Sequence, residues 1–171
     1  EVQTFHSMDL MQLCGAIKNR FDDATVMEQP QEILVDVIGI GSGVVDRLRE
    51  LNLPVRGVNV AEAPSTKKNY LNLRAELWFA IKDWLAQRDC RLPEDDELCS
   101  ELAAPSYKYT SSGKIKLESK EEMRKRGVKS PDRADALALT MASNAAGASG
   151  SMSYLGYNFR QPLKSRIIRV G

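Results

Sequence analysis

The stretch Ile33-Leu34-Val35-Asp36-Val37-Ile38-Gly39-Ile40-Gly41-Ser42-Gly43 decides the fold. Its first part is an apolar run rich in β-branched residues, which predicts a buried strand over residues 33–38. The glycines that follow predict a tight turn into a helix. Asp36 lies inside the apolar run, where an unpaired carboxylate is costly, so the pattern predicts a partner for it. Two partners are open here: a bound cation, or hydrogen bonds from backbone amides.

A second group of carboxylates opens an apolar helix in the segment Ser130-Pro131-Asp132-Arg133-Ala134-Asp135-Ala136-Leu137. Asp132 and Asp135 are three residues apart and so share one face of that helix. Carboxylate oxygens are the ligands of hard cations such as Mg²⁺ or Mn²⁺. The alternative is structural, since an acid in the first turn stabilises the helix dipole. Together with Asp36, the pair predicts a shared metal site of the kind that cleaves phosphodiesters.

The composition is that of an ordinary globular domain. The chain has 171 residues, of which 43% are hydrophobic and 27% charged, and its net charge is +1. This size and composition predict one domain with a real core and no global attraction to a polyanion. The spacings of Cys14, Cys90 and Cys99 match neither a zinc site nor a disulfide framework, which predicts a reducing compartment. No apolar run reaches the ~18 residues of a membrane span, so no membrane contact is predicted.

Strands and helices alternate along the chain, which predicts an α/β fold with a partly parallel sheet. Short strands are predicted at residues 2–5 and 55–60, and a long helix at residues 69–88. A hairpin is predicted around residues 110–113. Ser7 and Ser130 are the predicted N-caps of the first and the last helix. Ser119 is predicted to cap the basic helix that follows the hairpin, with Glu122 completing a capping box.

Basic residues are clustered locally despite the small net charge. The hairpin interleaves tyrosines with lysines, and the helix after it is rich in Lys and Arg. Such residues contact the phosphates of a DNA backbone. An ordinary two-stranded flap and a solvated charged face are the alternatives. The predicted DNA-binding residues are Lys108, Lys114, Lys116, Lys120, Arg124, Lys125 and Lys129.

The glycines after Asp36 also allow a hypothesis of Rossmann-type nucleotide binding. A dinucleotide fingerprint needs the spacing G-x-G-x-x-G, and Val44 occupies the position of its last glycine. Glu62 lies at the right distance for a ribose contact, so nucleotide binding is kept as the weaker alternative. His6 is the single histidine, which leaves a Ser-His-Asp triad without support.

In combination, these segments resemble the nuclease domain of phage terminase large subunits. The resemblance implies an RNase H-like or resolvase-like fold, with a mixed sheet flanked by helices and a small β-hairpin insertion. It implies a metal-dependent endonuclease that cuts double-stranded viral DNA during genome packaging, with Mg²⁺ or Mn²⁺ as the cofactor. The matching segments, within roughly residues 2–145, are 34–46, 58–60, 101–105, the hairpin, 117–120 and 130–137.

The resemblance also assigns roles to the three acids. Asp36 matches the acid of the family's fourth strand, Asp135 matches the acid of its last helix, and Asp132 is the neighbour of Asp135. All three are therefore predicted to be catalytic and metal-binding. The acid of the family's first strand has no counterpart from Val2 onward, so we expect a fold that lacks its first strands and has weak or no activity. A non-catalytic DNA- or portal-docking module is the alternative.

The resemblance further implies the partners and the location. The expected partners are double-stranded DNA, an N-terminal ATPase domain of the same protein, the terminase small subunit and the portal. The expected location is the cytoplasm of a bacterial host, as for a phage or prophage protein. Residues 1–146 are predicted to form the nuclease domain, and the Gly/Ser-rich and basic residues 147–171 a flexible tail.

Overall fold

The computed structural model describes residues 2–25, 28–143 and 167–170 of the chain. They belong to two compact units, the first within Glu1–Val60 and Leu163–Gly171 and the second within Ala61–Pro162. The predicted nuclease domain, residues 1–146, is thus divided between the two units. None of the described helices has the length and apolarity needed to cross a membrane.

The first unit places helices beside parallel strands. Strand β2 pairs in parallel with β3, and Asp36 lies opposite Val58 at the end of the ladder. Helices α1 and α2 pack through Leu13, Val44 and Leu48, which are all buried. In chain order the elements are β1 (Val2–Phe5), α1 (Leu10–Asp22), β2 (Ile33–Asp36), α2 (Gly41–Glu50) and β3 (Val55–Val58).

Two boundaries in this unit differ from the sequence predictions. Strand β2 ends at Asp36 rather than at residue 38, because the turn that follows carries Gly39 at a φ of 73°. Helix α1 begins after Asp9, whose side chain accepts a hydrogen bond from the N–H of Gln12. The Gln12 side chain in turn accepts from the N–H of Asp9, which completes a capping box. This cap fixes the entry of the chain into α1.

Part of the predicted tail is a strand. The sequence predicts a flexible segment over residues 147–171, but Ile167–Val170 form β6, which pairs in parallel with β1. Val2 lies opposite Ile167 and Phe5 opposite Val170. Four residues of the predicted tail thus belong to a strand pair, and the flexibility of the tail stays a prediction. The rest of the predicted tail lies outside the described residues.

The second unit is built around helix α3. Its buried side chains include Leu77 and Ile81, while Leu98 of α4 and Leu137 of α6 are buried in the same unit. Both α3 and α4 pack against α6. In chain order the elements are α3 (Leu73–Ala86), α4 (Asp96–Ala103), β4 (Tyr107–Tyr109), β5 (Ile115–Leu117), α5 (Lys120–Lys125) and α6 (Asp132–Thr140).

The predicted hairpin and the predicted cap of the basic helix are both present. Strands β4 and β5 pair antiparallel, with Tyr109 opposite Ile115. Ser119 and Glu122 form the capping box of α5, and Gly127, at a φ of 75°, follows its end. In the described residues the strands form two parallel pairs and one antiparallel pair. The α/β class with a hairpin is confirmed, and the mixed sheet takes the form of these short pairs.

Candidate metal and DNA-binding site

Asp36 is the last residue of β2, and the backbone after it folds back over its carbonyl group. A Cβ atom at Gly41 would lie 1.7 Å from the carbonyl oxygen of Asp36, so only glycine permits this approach of α2. Oδ1 of Asp36 accepts a hydrogen bond from the N–H of Ile38 at 3.1 Å. The close approach explains why residue 41 is glycine. The side chain is half-buried rather than buried, and it lies at the carboxyl end of a strand, where α/β sheets place their sites.

Asp132 and Asp135 lie in the first turn of α6, in the second unit. Their side chains are 16% and 21% exposed. The ammonium group of Lys120 lies 3.1 Å from Oδ1 of Asp132 and 3.2 Å from Oδ2 of Asp135. One positive charge therefore bridges the two carboxylates. This donor set fits a hard divalent cation, which prefers carboxylate oxygen.

Two residues of α3, which the sequence does not single out, also hold Asp135. Nε of Arg74 donates to Oδ1 at 3.0 Å, and Nε1 of Trp78 donates to the same oxygen at 2.8 Å. A second Arg74 nitrogen, Nη2, lies 3.4 Å from Oδ2. Arg74 and Trp78 are four residues apart and so share a helix face. This spacing is the one sign in the sequence that the two residues act together. Their partner Asp135 is 57 to 61 positions further along the chain, so the sequence does not reveal the contact.

The start of α6 is stabilised from α4 rather than by a local cap. The sequence predicts Ser130 as the N-cap, but Pro131 occupies that position and makes no side-chain cap hydrogen bond. The hydroxyl of Ser130 instead donates to Oδ1 of Asp132 at 2.7 Å. Oε2 of Glu101 accepts from the N–H groups of Arg133 at 2.6 Å and Ala134 at 3.0 Å. Glu101 thereby fixes the helix turn that carries both candidate ligands.

Helix α3 is tied to the preceding loop by a buried carboxylate. Glu76 is only 3% exposed, and it accepts hydrogen bonds from the N–H and hydroxyl of Ser65 and from the N–H of Thr66. Burial alone would raise the pKa of Glu76, but these hydrogen bonds outweigh it and lower the pKa below its usual value. The charged form of Glu76 is therefore the one that the fold stabilises.

The hairpin separates its aromatic residues from its basic ones. Strand side chains alternate between faces, so Tyr107 and Tyr109 share one face, and Lys108 shares the other with its cross-strand partner Lys116. Nζ of Lys108 lies 3.0 Å from Oε1 of Glu122. The N–H of Ser119 and the ammonium of Lys108 lower the pKa of Glu122 to about 2. The lysine face of the hairpin thus adjoins α5.

All seven predicted DNA-binding residues lie in the second unit, together with Asp132 and Asp135. Lys120 contacts both carboxylates, and its predicted phosphate contact stays a prediction. The exposed members are Lys108, Lys120, Arg124, Lys125 and Lys129, and the half-buried members are Lys114 and Lys116.

The described residues bring together two of the three predicted metal ligands, Asp132 and Asp135. Asp36 belongs to the first unit. Within residues 2–25, 28–143 and 167–170, no three His, Cys, Asp or Glu side chains are grouped so that they could hold a metal ion. The three-ligand site therefore stays a prediction.

Comparison with solved structures identifies the fold. The nuclease domain of the large terminase subunit of bacterial virus Sf6 aligns with a TM-score of 0.61 at 23% identity, over 78% of this chain and 73% of that chain. A lysine-to-alanine mutant of that domain with manganese aligns with a TM-score of 0.63 at 22% identity, over 79% and 74% of the two chains. The same mutant domain with calcium aligns with a TM-score of 0.62 at 22% identity, over 79% of this chain and 73% of that chain.

No protein-family model and no curated protein matches the chain. At such low identity the structural likeness establishes the fold alone. That fold is the one found in terminase nuclease domains, as the sequence resemblance predicts.

Proposed function

We propose that this chain is a divalent-metal-dependent endonuclease domain that cuts double-stranded viral DNA during genome packaging. The observation that carries the proposal is the ammonium of Lys120, which lies between the carboxylates of Asp132 and Asp135 in a domain with the terminase nuclease fold. Two carboxylates that are bridged by a single positive charge retain a net negative charge, which favours the binding of a cation. The neighbouring structures with manganese and with calcium support a divalent ion for this chain.

Asp36, Asp132 and Asp135 would hold Mg²⁺ or Mn²⁺ through their oxygens. When bound, such an ion polarises the phosphate, activates water and stabilises the leaving oxygen. The chain's own residues supply the rest of the site. Glu101 fixes the turn that carries Asp132 and Asp135, and the basic residues of the hairpin and α5 would contact the DNA backbone.

The partners in this proposal follow from the same fold. An ATPase domain of the same protein would move the DNA, and the terminase small subunit and the portal would bring DNA and capsid together. DNA packaging and cleavage would take place in the cytoplasm of the bacterial host. These partners are supported by the structural neighbours, which are nuclease domains of a large terminase subunit.

The experiment is nicking of supercoiled plasmid with Mn²⁺ by the full-length protein. Asp36→Asn and Asp135→Asn should each reduce cleavage by more than about 100-fold, because loss of a ligand exceeds the loss of an outer contact. Asp96→Asn is the matched control, since Asp96 is an exposed acid at the first position of α4. It should cut as the wild type does. Cleavage retained by folded Asp36→Asn and Asp135→Asn would overturn the proposal.

A second candidate is a non-catalytic module that grips DNA or the portal. It is favoured by the exposed cations Arg124, Lys125 and Lys129, which suit a DNA backbone. Calorimetry with Mn²⁺ separates the two candidates. Salt-dependent DNA binding with no heat on addition of Mn²⁺ would favour docking, whereas saturable Mn²⁺ binding would favour the nuclease.

A further inference from the structure

We infer that Arg74 and Trp78 are positioning residues of the proposed nuclease, which fix the carboxylate of Asp135 so that Oδ2 is the oxygen presented to the metal. The inference rests on the proposed function. Neither residue is expected to touch the metal or the DNA, since each acts through Asp135.

The two oxygens of Asp135 have different surroundings. Oδ1 accepts from Nε1 of Trp78 at 2.8 Å and from Nε of Arg74 at 3.0 Å. A carboxylate oxygen has about two lone pairs, so these two donors saturate Oδ1. Among the described residues, Oδ2 has the ammonium of Lys120 at 3.2 Å and Nη2 of Arg74 at 3.4 Å, and this Nη2 lies closer to Oδ1, at 3.0 Å. The contacts of Oδ2 are longer, and one of them is a positive charge, so Oδ2 is the oxygen at which a metal ion could take the place of Lys120.

The two donors are themselves held in place. Nη1 of Arg74 donates to the backbone oxygen of Glu118 at 2.9 Å. The guanidinium group also lies over the ring of Trp78, 5.7 Å from its centroid, in a cation–π contact. Trp78 is only 7% exposed. Both donors stand on α3, whose N-terminus is capped by Asn72, and a site built on a rigid helix is held more precisely than one on a loop.

The plainer explanation is that these contacts only fasten α3 to α6. Trp78→Phe separates the two roles, because it deletes the indole N–H and keeps a ring of similar shape beside Arg74. A fastening role predicts lower stability with unchanged metal affinity. A positioning role predicts weaker metal affinity and slower chemistry in protein that is still folded.

The test is carried out on the full-length protein with Mn²⁺ as the probe. Trp78→Phe should weaken Mn²⁺ binding in calorimetry about 10-fold and lower kcat by a similar factor, with the KM for DNA unchanged. Arg74→Lys keeps the positive charge but loses the planar guanidinium with its several donors. It should weaken Mn²⁺ binding and lower kcat in the same way. Trp84→Phe, a buried tryptophan further along the same helix, is the control and should change neither quantity.

The outcomes separate this inference from the proposed function. Mn²⁺ affinity and kcat within about twofold of the wild type in both Trp78→Phe and Arg74→Lys would overturn the positioning role and leave the nuclease proposal intact. A wild-type protein that neither binds Mn²⁺ nor cuts DNA would overturn both. If Trp78→Phe does not fold, Arg74→Lys decides the question alone.

Discussion

The two units hold their candidate carboxylates by different physical means. In the first unit Asp36 is set by its own backbone, because a glycine turn brings the start of α2 onto its carbonyl group. In the second unit Asp135 is set by side chains that come from α3 and from Lys120, which are distant in sequence. The geometry of the turn depends on one glycine, whereas the position of Asp135 depends on several side-chain contacts, each of which contributes a part of the stabilisation. Substitutions should therefore act very differently in the two places.

The largest effect is expected for Gly41→Ala. The new Cβ atom would lie 1.7 Å from a backbone oxygen, so the strand end or the helix start must move. The free energy of unfolding should fall by about 3 kcal/mol or more, the upper range for overpacked positions. Urea denaturation followed by circular dichroism measures this loss.

Gly15→Ala is the matched control for that variant. Gly15 lies inside α1, and no atom stands within 4 Å of the Cβ position there. Since alanine favours a helix interior over glycine, this variant should be more stable by about 0.5–1 kcal/mol. If the two variants were equally stable, the backbone account of the Asp36 site would be wrong.

The same difference determines what the sequence alone could predict. The strand, the glycine turn and the capping box at Ser119 and Glu122 are local patterns, and the structure confirms that each exists, although the strand ends two residues earlier than predicted. The donors Arg74 and Trp78 and the distant cap Glu101 could not be predicted, because their roles depend on how α3, α4 and α6 pack. Local patterns can also mislead. Ser130 is a residue type that favours the N-cap, but Pro131 occupies the N-cap position of α6.

A smaller effect is expected in the side-chain network for Glu76→Gln. The amide keeps one acceptor oxygen and replaces the other with an NH₂ donor, which would face the backbone N–H of either Ser65 or Thr66 and leave that N–H without its acceptor. The loss should be about 2 kcal/mol at pH 7, typical of a buried group left unpaired. Both tryptophans of the chain lie in α3, so urea denaturation followed by their fluorescence measures this unit directly.

The pH dependence of this variant tests the cause. The pKa of Glu76 is lowered in the fold, so its stabilisation is fully present above its unfolded-state pKa of about 4.5. It is lost as the pH falls through the lower, folded-state pKa. The stability gap between the wild type and Glu76→Gln should therefore shrink in acid. A gap that is constant down to low pH would contradict the charged hydrogen-bonded state.

Glu101→Ala should have a still smaller effect. It removes the acceptor for the N–H groups of Arg133 and Ala134, and losing a helix cap costs typically about 1 kcal/mol. Glu101→Gln keeps an acceptor oxygen and is the control. Tryptophan fluorescence in urea should place Glu101→Gln between the wild type and Glu101→Ala. If both variants were as stable as the wild type, α6 would not depend on this distant cap.

The smallest effect on stability is expected for Lys108→Met, at the edge of the network. The ion pair with Glu122 is exposed and screened by solvent, so the urea midpoint should not change measurably. If Lys108 contacts a DNA phosphate, however, its loss should reduce the slope of log K against log salt for duplex DNA by about 0.9. Lys18→Met is the control, because Lys18 also pairs with an acid, Asp22, but lies in the first unit. Equal changes of slope in both variants would show that the effect is one of net charge, and that the hairpin lysine makes no specific phosphate contact.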